Sequence, residues 1–226
     1  LTICLVTDSR RLAGQFAADS DRRRCLLAQA RFGVDAGVDL IQVRERDLEA
    51  AALADIVAEL LTVTRGTATQ IVVNDRLDVA LACGAGGVHL RADSIPIAAA
   101  RRLAPAGFLV GRSVHTAREA ADASDADYLV AGTVFPSASK DRSHRLLGMD
   151  GLRAIVAATT VPVLAIGGIS LDNVDVVAAT GVAGVAAIGL FMHSPGEVED
   201  GSCAAADVRA VVISLRARFD RVNTAP

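Results

Sequence analysis

Eight short apolar runs, separated by segments of helical period, leave this chain few architectures. The runs are Ile3–Val6, Asp39–Val43, Gln70–Val73, Gly87–Leu90, Phe108–Gly111, Tyr128–Val134, Pro162–Ile166 and Val185–Ile188. Their nearly unbroken apolar character predicts strands buried on both faces. Between them, Leu53, Ile56, Val57, Leu60 and Leu61 make one helical stripe, and Cys25, Ala28, Phe32 and Ala36 make another after the cap candidates Asp19 and Ser20. Leu77–Cys83 has room for a short helix, and Val208, Val211, Val212, Leu215 and Phe219 mark the last one. Strands that alternate with helices run parallel, because each crossover returns the chain to the same end of the sheet. Eight such units predict an α/β fold, a (β/α)8 TIM barrel in a single domain over residues 1–222, with a disordered polar tail at 223–226.

Composition narrows the function classes. The chain is 52% hydrophobic, enough for one large core, and its formal charge of -3 supplies no broad basic surface for nucleic acid. Six Phe, one Tyr and no Trp offer no stacking platform, so small molecules are the expected partners. The apolar runs are too short to cross a bilayer, and the N-terminal region lacks a basic-then-apolar secretory pattern. Cys4, Cys25, Cys83 and Cys203 form no C-x-x-C pair, which argues against zinc and predicts reduced thiols in a cytoplasmic protein. A homo-oligomer is compatible with all of this.

Nearly every run closes on polar, charged or glycine residues, and in a barrel these tips converge on one mouth. Gly167-Gly168 follows the seventh run and Ile188-Gly189 ends the eighth, where barrels often place a phosphate against backbone N–H groups. A tight turn requiring positive φ is the plainer reading of the glycine pair. From Pro136 to Met149 the chain runs for about 14 residues, longer than an ordinary βα connection. Ser137, Ser139 and Lys140 there could donate hydrogen bonds to a phosphate or pyrophosphate, unless the loop is merely solvated. Strand alternation sets Gln42, Arg44 and Arg46 on one side and Glu45 on the other. Paired guanidiniums favour a polyanion, with Glu45 as a structural partner. Asn74 and Asp75 suit either Mg2+ bridging a carboxylate to phosphate oxygens or the cap of the next helix.

Taken in order, Ile41-Gln42-Val43-Arg44-Glu45, Val73-Asn74-Asp75-Arg76, Gly87-Val88-His89-Leu90, Gly111-Arg112-Ser113-Val114-His115, Asp127-Tyr128, Pro136-Ser137-Ala138-Ser139-Lys140 and Ala165-Ile166-Gly167-Gly168-Ile169 resemble the thiamin phosphate synthase family, which includes a thiazole tautomerase branch. The resemblance implies a transferase of thiamin biosynthesis that couples an aminopyrimidine pyrophosphate to a thiazole phosphate and releases pyrophosphate with Mg2+. It implies that Gln42, Arg44 and Asn74 hold the pyrimidine pyrophosphate, that Asp75 binds Mg2+, and that Ser113 and Lys140 take the leaving pyrophosphate. Gly168, Ile188 and Gly189 would hold the thiazole phosphate, and Ser137 and Ser139 stand where threonines are usual.

Two departures set limits on that reading. Arg46 replaces a lysine, and the family's Gln-x-Asp after the fourth strand reads Ala92-Asp93-Ser94. The second metal carboxylate therefore aligns with Ser94, leaving Asp93 one place away as its only substitute. Both departures resemble the tautomerase branch, which uses a histidine at the position of His115 for proton transfer. Gln42, Asn74, Asp75 and Lys140 favour the synthase. A thiazole or thiamin phosphate sensor without turnover is the third reading, and other phosphate-binding barrel isomerases are the fourth. His89 reads as structural, with His144 and His193 as loop residues.

Overall fold

The strands form a ring in strict sequence order: β1 (Thr2–Val6), β2 (Leu40–Val43), β3 (Gln70–Asn74), β4 (Gly87–Leu90), β5 (Leu109–Val114), β6 (Tyr128–Gly132), β7 (Val163–Ile166) and β8 (Gly184–Ala187). All pairings are parallel, and β1 closes the barrel on β8 through Thr2 opposite Gly184. The structure, a computed structural model, describes residues 1–14, 17–137, 146–192 and 207–223. Its helices are α1 (Ser9–Ala13), α2 (Asp19–Ala36), α3 (Ala50–Thr64), α4 (Leu77–Cys83), α5 (Ile97–Leu103), α6 (Ala117–Ala121), α7 (Gly148–Ala157), α8 (Val174–Ala178) and α9 (Val208–Asn223), with a 3-10 turn at Gly189–Phe191. None of the described helices is long and apolar enough to cross a membrane.

Strand alternation divides the apolar residues between two cores. Ile3, Leu5, Ile41, Ile71, Val73, Val88 and Val110 face outward and pack under the helices. Cys4, Val6, Leu40, Val72, Tyr128, Val130, Leu164 and Ala186 point into the barrel and fill it. At β5 the interior makes room for one large ring: a Cβ on Gly111 would collide with Tyr128. The β1 and β5 ends opposite the mouth are fastened by a repeated device. Asp39, just before β2, accepts the Ile3 N–H at 2.7 Å, and Asp127, just before β6, accepts the Val110 N–H at 2.6 Å. Each carboxylate is also paired with an arginine, Arg216 or Arg101.

Helix α3 buries the predicted Leu53, Ile56, Val57 and Leu60, and α9 buries Val208, Val212, Leu215 and Phe219. Helix α2 departs from expectation. Its buried face is Cys25, Leu26, Gln29, Ala30 and Gly33, while Phe32 is 48% exposed. Gln29 sits in that face because its Nε2 donates to the Phe191 carbonyl at 3.0 Å, so a polar residue interrupts the stripe that hydropathy would follow. Cys25 also corrects an expectation, since it is disulfide-bonded, whereas Cys4 and Cys83 are free thiols. Spacing along the chain does not report which thiols the fold brings together.

Candidate active site

At the C-terminal ends of the strands lies a cavity of about 360 Å3. Inward parity builds its floor: Val6, Gln42, Asn74, His89, Ser113 and Ile166 are the last inward residues of their strands, and on β6 Val130 and Gly132 both line it above Tyr128. Of the residues singled out in the sequence, Gln42, Arg44, Arg46, Asn74, Ser113, His115, Ser137, Gly168, Ile188 and Gly189 all line this one space. Ser139, Lys140, His144 and His193 lie outside the described residues. Asp75 and Asp93 stand next to the cavity without lining it.

One half of the mouth is made of backbone. Gly167 and Gly168 have φ of 103° and 62°, and a Cβ on Gly168 would stand 2.5 Å from the Pro136 carbonyl oxygen. The turn therefore requires glycine, as the plainer reading held, and it also forms cavity wall. Phe135 N–H donates to the Gly167 carbonyl at 3.0 Å and draws the loop after β6 across this corner. Gly189 opens the adjoining 3-10 turn, and a Cβ there would meet only the Arg11 guanidinium, 3.9 Å away.

The other half is made of side chains. Glu45 is buried and accepts the hydroxyls of Thr7 and Ser9, each at 2.6 Å, and the Ser9 N–H. Burial raises its pKa, and the Ser9 and Thr7 hydrogen bonds oppose that rise. Glu45 thus acts on its neighbours through the segment after β1, since the Thr7 hydroxyl oxygen in turn accepts the Arg44 N–H at 2.9 Å. The Arg44 guanidinium lies 3.4 Å from Asp8, and burial together with the adjacent Arg46 charge lowers its pKa. Asn74 caps no helix: its Oδ1 accepts from Gln42 Nε2 at 3.1 Å, while Arg76 occupies the cap position of α4.

His89 is not simply a strand-end histidine. Its ring stacks on Tyr128 at 5.6 Å and 28°, and Nε2 lies 2.9 Å from the Ser113 hydroxyl. Burial, aided by Arg112 and opposed by Asp75, lowers its pKa to about 4, so the ring is neutral near pH 7. His115 is 42% exposed at its side chain and shares Glu119 with its own backbone, whose N–H donates to that carboxylate at 2.7 Å. Glu119 belongs to the start of α6, where Thr116 caps the Glu119 N–H.

Two cavity residues escaped the sequence reading. Arg11 is carried by α1, a helix too short for a periodic signal, and is placed by the Asp8 cap on its own N–H. Arg91 is the residue that inward parity from His89 would have indicated. With Arg44 and Arg46 they give four arginines, and no carboxylate lines the cavity among the described residues.

The family profile for thiamine monophosphate synthase matches residues 13–191. The chain belongs to that family. A thiamine-phosphate synthase of Methanoregula boonei is 44% identical over 192 residues, 84% of this chain and 87% of that one. The thiamine-phosphate synthase of Archaeoglobus fulgidus is 42% identical over 178 residues, 78% of this chain and 84% of its own length. Among solved structures, the thiamine phosphate pyrophosphorylase of Pyrococcus furiosus superposes with a TM-score of 0.77 at 34% identity, covering 98% of this chain and 96% of that one. These relatives are synthases, and they do not favour the tautomerase alternative.

The groups around Asp75 already engage its carboxylate. Asp75 has φ of 62° and is held by its N–H to the His89 carbonyl at 2.9 Å. One carboxylate oxygen accepts the Ser94 hydroxyl, and the other lies 3.5 Å from Arg91. Asp93 pairs with the same arginine at 2.5 Å and its side chain is 70% exposed. The described residues contain no group of three or more metal-ligating side chains. Mg2+ favours free carboxylate oxygens in octahedral geometry, and this engaged, arginine-bridged arrangement does not fit it.

Proposed function

We propose that this chain is a thiamin phosphate synthase acting on two small phosphorylated substrates, an aminopyrimidine pyrophosphate and a thiazole phosphate. The observation that carries this reading is the divided cavity, backbone glycines on one side and guanidiniums with a serine on the other, in a member of this family. In the reaction the bond between the pyrimidine methylene carbon and pyrophosphate breaks, and both electrons leave with the pyrophosphate. The aminopyrimidine stabilises the resulting cation until the thiazole nitrogen forms the new C–N bond. Most of the barrier lies in stabilising the departing charge, which preorganised donors do well in a dry site.

Each half has its share of that task. Gln42 and Asn74, hydrogen-bonded to each other on the floor, orient the pyrimidine, and Arg44 and Arg46 face its pyrophosphate. Ser113 donates to the leaving group. Neutral His89 sets that donor: Nδ1 is buried without a hydrogen-bond partner among the described residues. A tautomer protonated on Nε2 leaves a lone pair rather than an N–H unsatisfied, the lesser penalty. Nε2–H then donates to the Ser113 oxygen and frees the serine proton for an anion. The thiazole phosphate sits at Gly168, Ile188 and Gly189, where absent side chains expose backbone N–H groups and Arg11 adds charge. Ser137 and His115 line the same cavity, and the family resemblance gives Ser139 and Lys140 a part in holding the pyrophosphate. Since the side chains do not fit the expected Mg2+ site at Asp75 and Asp93, no step is assigned to a metal.

The direct test supplies both substrates to pure protein, with and without Mg2+, and measures pyrophosphate release. Release that requires both substrates is the expected outcome. No release under either condition would sink the synthase reading, and isomerisation of a thiazole carboxylate phosphate instead would establish the tautomerase.

A further inference from the structure

The turn after β4 holds an arginine in place before any ligand arrives. Arg91 lies two residues beyond His89 on the same inward side and lines the cavity. Ser94 closes the turn, its Oγ accepting the Arg91 N–H at 3.0 Å and its own N–H donating to the Arg91 carbonyl at 3.1 Å. The same hydroxyl donates to Asp75. From β5, the Arg112 guanidinium fastens the other side, with NH2 on the Ala92 carbonyl at 2.6 Å and NH1 on the Ile95 carbonyl at 2.8 Å. Asp75 and Asp93 then grip Arg91 through NH1 and NH2, at 3.5 and 2.5 Å. Arg91 lines the cavity, and neither carboxylate does.

We propose that Arg91 supplies the positive charge that a divalent ion at Asp75 would otherwise supply, so that this chain holds the pyrophosphate of its substrate without a divalent metal. The proposal rests on the synthase reading of the cavity. A guanidinium has five N–H donors, and each of the two carboxylates engages one terminal nitrogen. The remaining donors present a planar fork that suits phosphate oxygens bidentately. Two carboxylates and a clamped turn restrict its rotamers, so less ordering is left for the bound state. A divalent ion would have to displace Ser94 or Arg91 from Asp75 and then stand beside a guanidinium. At the position aligned with a second metal carboxylate, Ser94 offers only a neutral hydroxyl that is already committed to the turn.

Titration calorimetry with inorganic pyrophosphate tests this on the full chain, first in EDTA and then in Mg2+. The metal-free protein is expected to bind, with added Mg2+ changing Kd by less than about threefold. Arg91→Gln should weaken metal-free binding by about tenfold or more, the worth of a hydrogen-bonded charge pair. Arg91→Lys should recover part of the loss, because it restores the charge without the fork. Circular dichroism of both variants controls for folding. Binding that appears only with Mg2+, or an Arg91→Gln variant that binds metal-free pyrophosphate as tightly as the parent, overturns the proposal. Arg91-dependent binding without turnover of the two substrates would instead sink the synthase reading and leave the Arg91 site standing.

Discussion

The two halves of the mouth are built by different means, and they differ in what a substitution can change. At Gly167, Gly168 and Gly189 the wall is main chain, and at the first two its shape follows from positive φ and the close approach of Thr133 and Pro136. At the tips of β2 to β5 the wall is side chain, set by Glu45, Asp8, Asp75 and Ser94 acting on arginines and on one another. Gly167 and Gly168 cannot be altered without straining the turn. The second half can exchange one charge carrier for another while the strands stay where they are. The departures from the family pattern, Arg46 and Ser94, both fall in the second half.

The comparison can be broken by separating stability from chemistry. The largest effect is expected for Ser113→Ala, which should lower kcat by about 100-fold, as loss of one preorganised donor does. Its unfolding free energy should fall by only about 1 kcal/mol, the net worth of the bond from His89. Steady-state kinetics and urea denaturation read the two numbers. Gly168→Ala should do the reverse, costing about 2 kcal/mol of stability because an L side chain is forced to positive φ against Pro136. Its KM for the thiazole phosphate should rise as well, whereas an unchanged melting curve would mean that the corner is not backbone-limited.

A pH series sharpens the side-chain half. His89 is held neutral with a pKa near 4, while in the unfolded chain it titrates near 6.5. Between those values the unfolded state takes up more protons, so stability must fall as pH falls. From pH 6.5 to 5 the loss should be about 2 kcal/mol relative to His89→Gln, which cannot titrate. Parallel urea curves for the two proteins across that window would contradict the neutral assignment. Smallest is Arg11→Ala, expected to raise KM for the thiazole phosphate by about tenfold and leave the pyrimidine substrate unaffected. An equal effect on both substrates would mean that the halves are not separate.

Much of this organisation was legible because alternation is a local signal. All eight strands lie within a few residues of their apolar runs, and α4 coincides with Leu77–Cys83. Gln42 and Ser113 reach one cavity because they share parity with Leu40 and Leu109, the inward residues two and four places earlier. What escaped the sequence depended on contacts between distant segments. Gln29 hid the face of α2 through a carbonyl 162 residues away, and Cys25 gave no sign of its disulfide. Arg11 lies on a helix of five residues, too short for any periodicity to show. Asp75 read as a metal ligand because a carboxylate beside an asparagine at a strand tip has the right chemistry. Its engagement by Ser94 and Arg91 appears only once β3 and β4 are paired.

Tyr128, lodged against Gly111 and stacked under His89, has a consequence for access to the site. The aromatic plug seals the barrel immediately below the Gln42–Asn74 layer, so atoms reaching that layer come and go through the mouth alone. The ring that Gly111 admits therefore does more than fill space: it closes the interior under His89 and Ser113, so whatever enters the cavity meets the barrel from its C-terminal side.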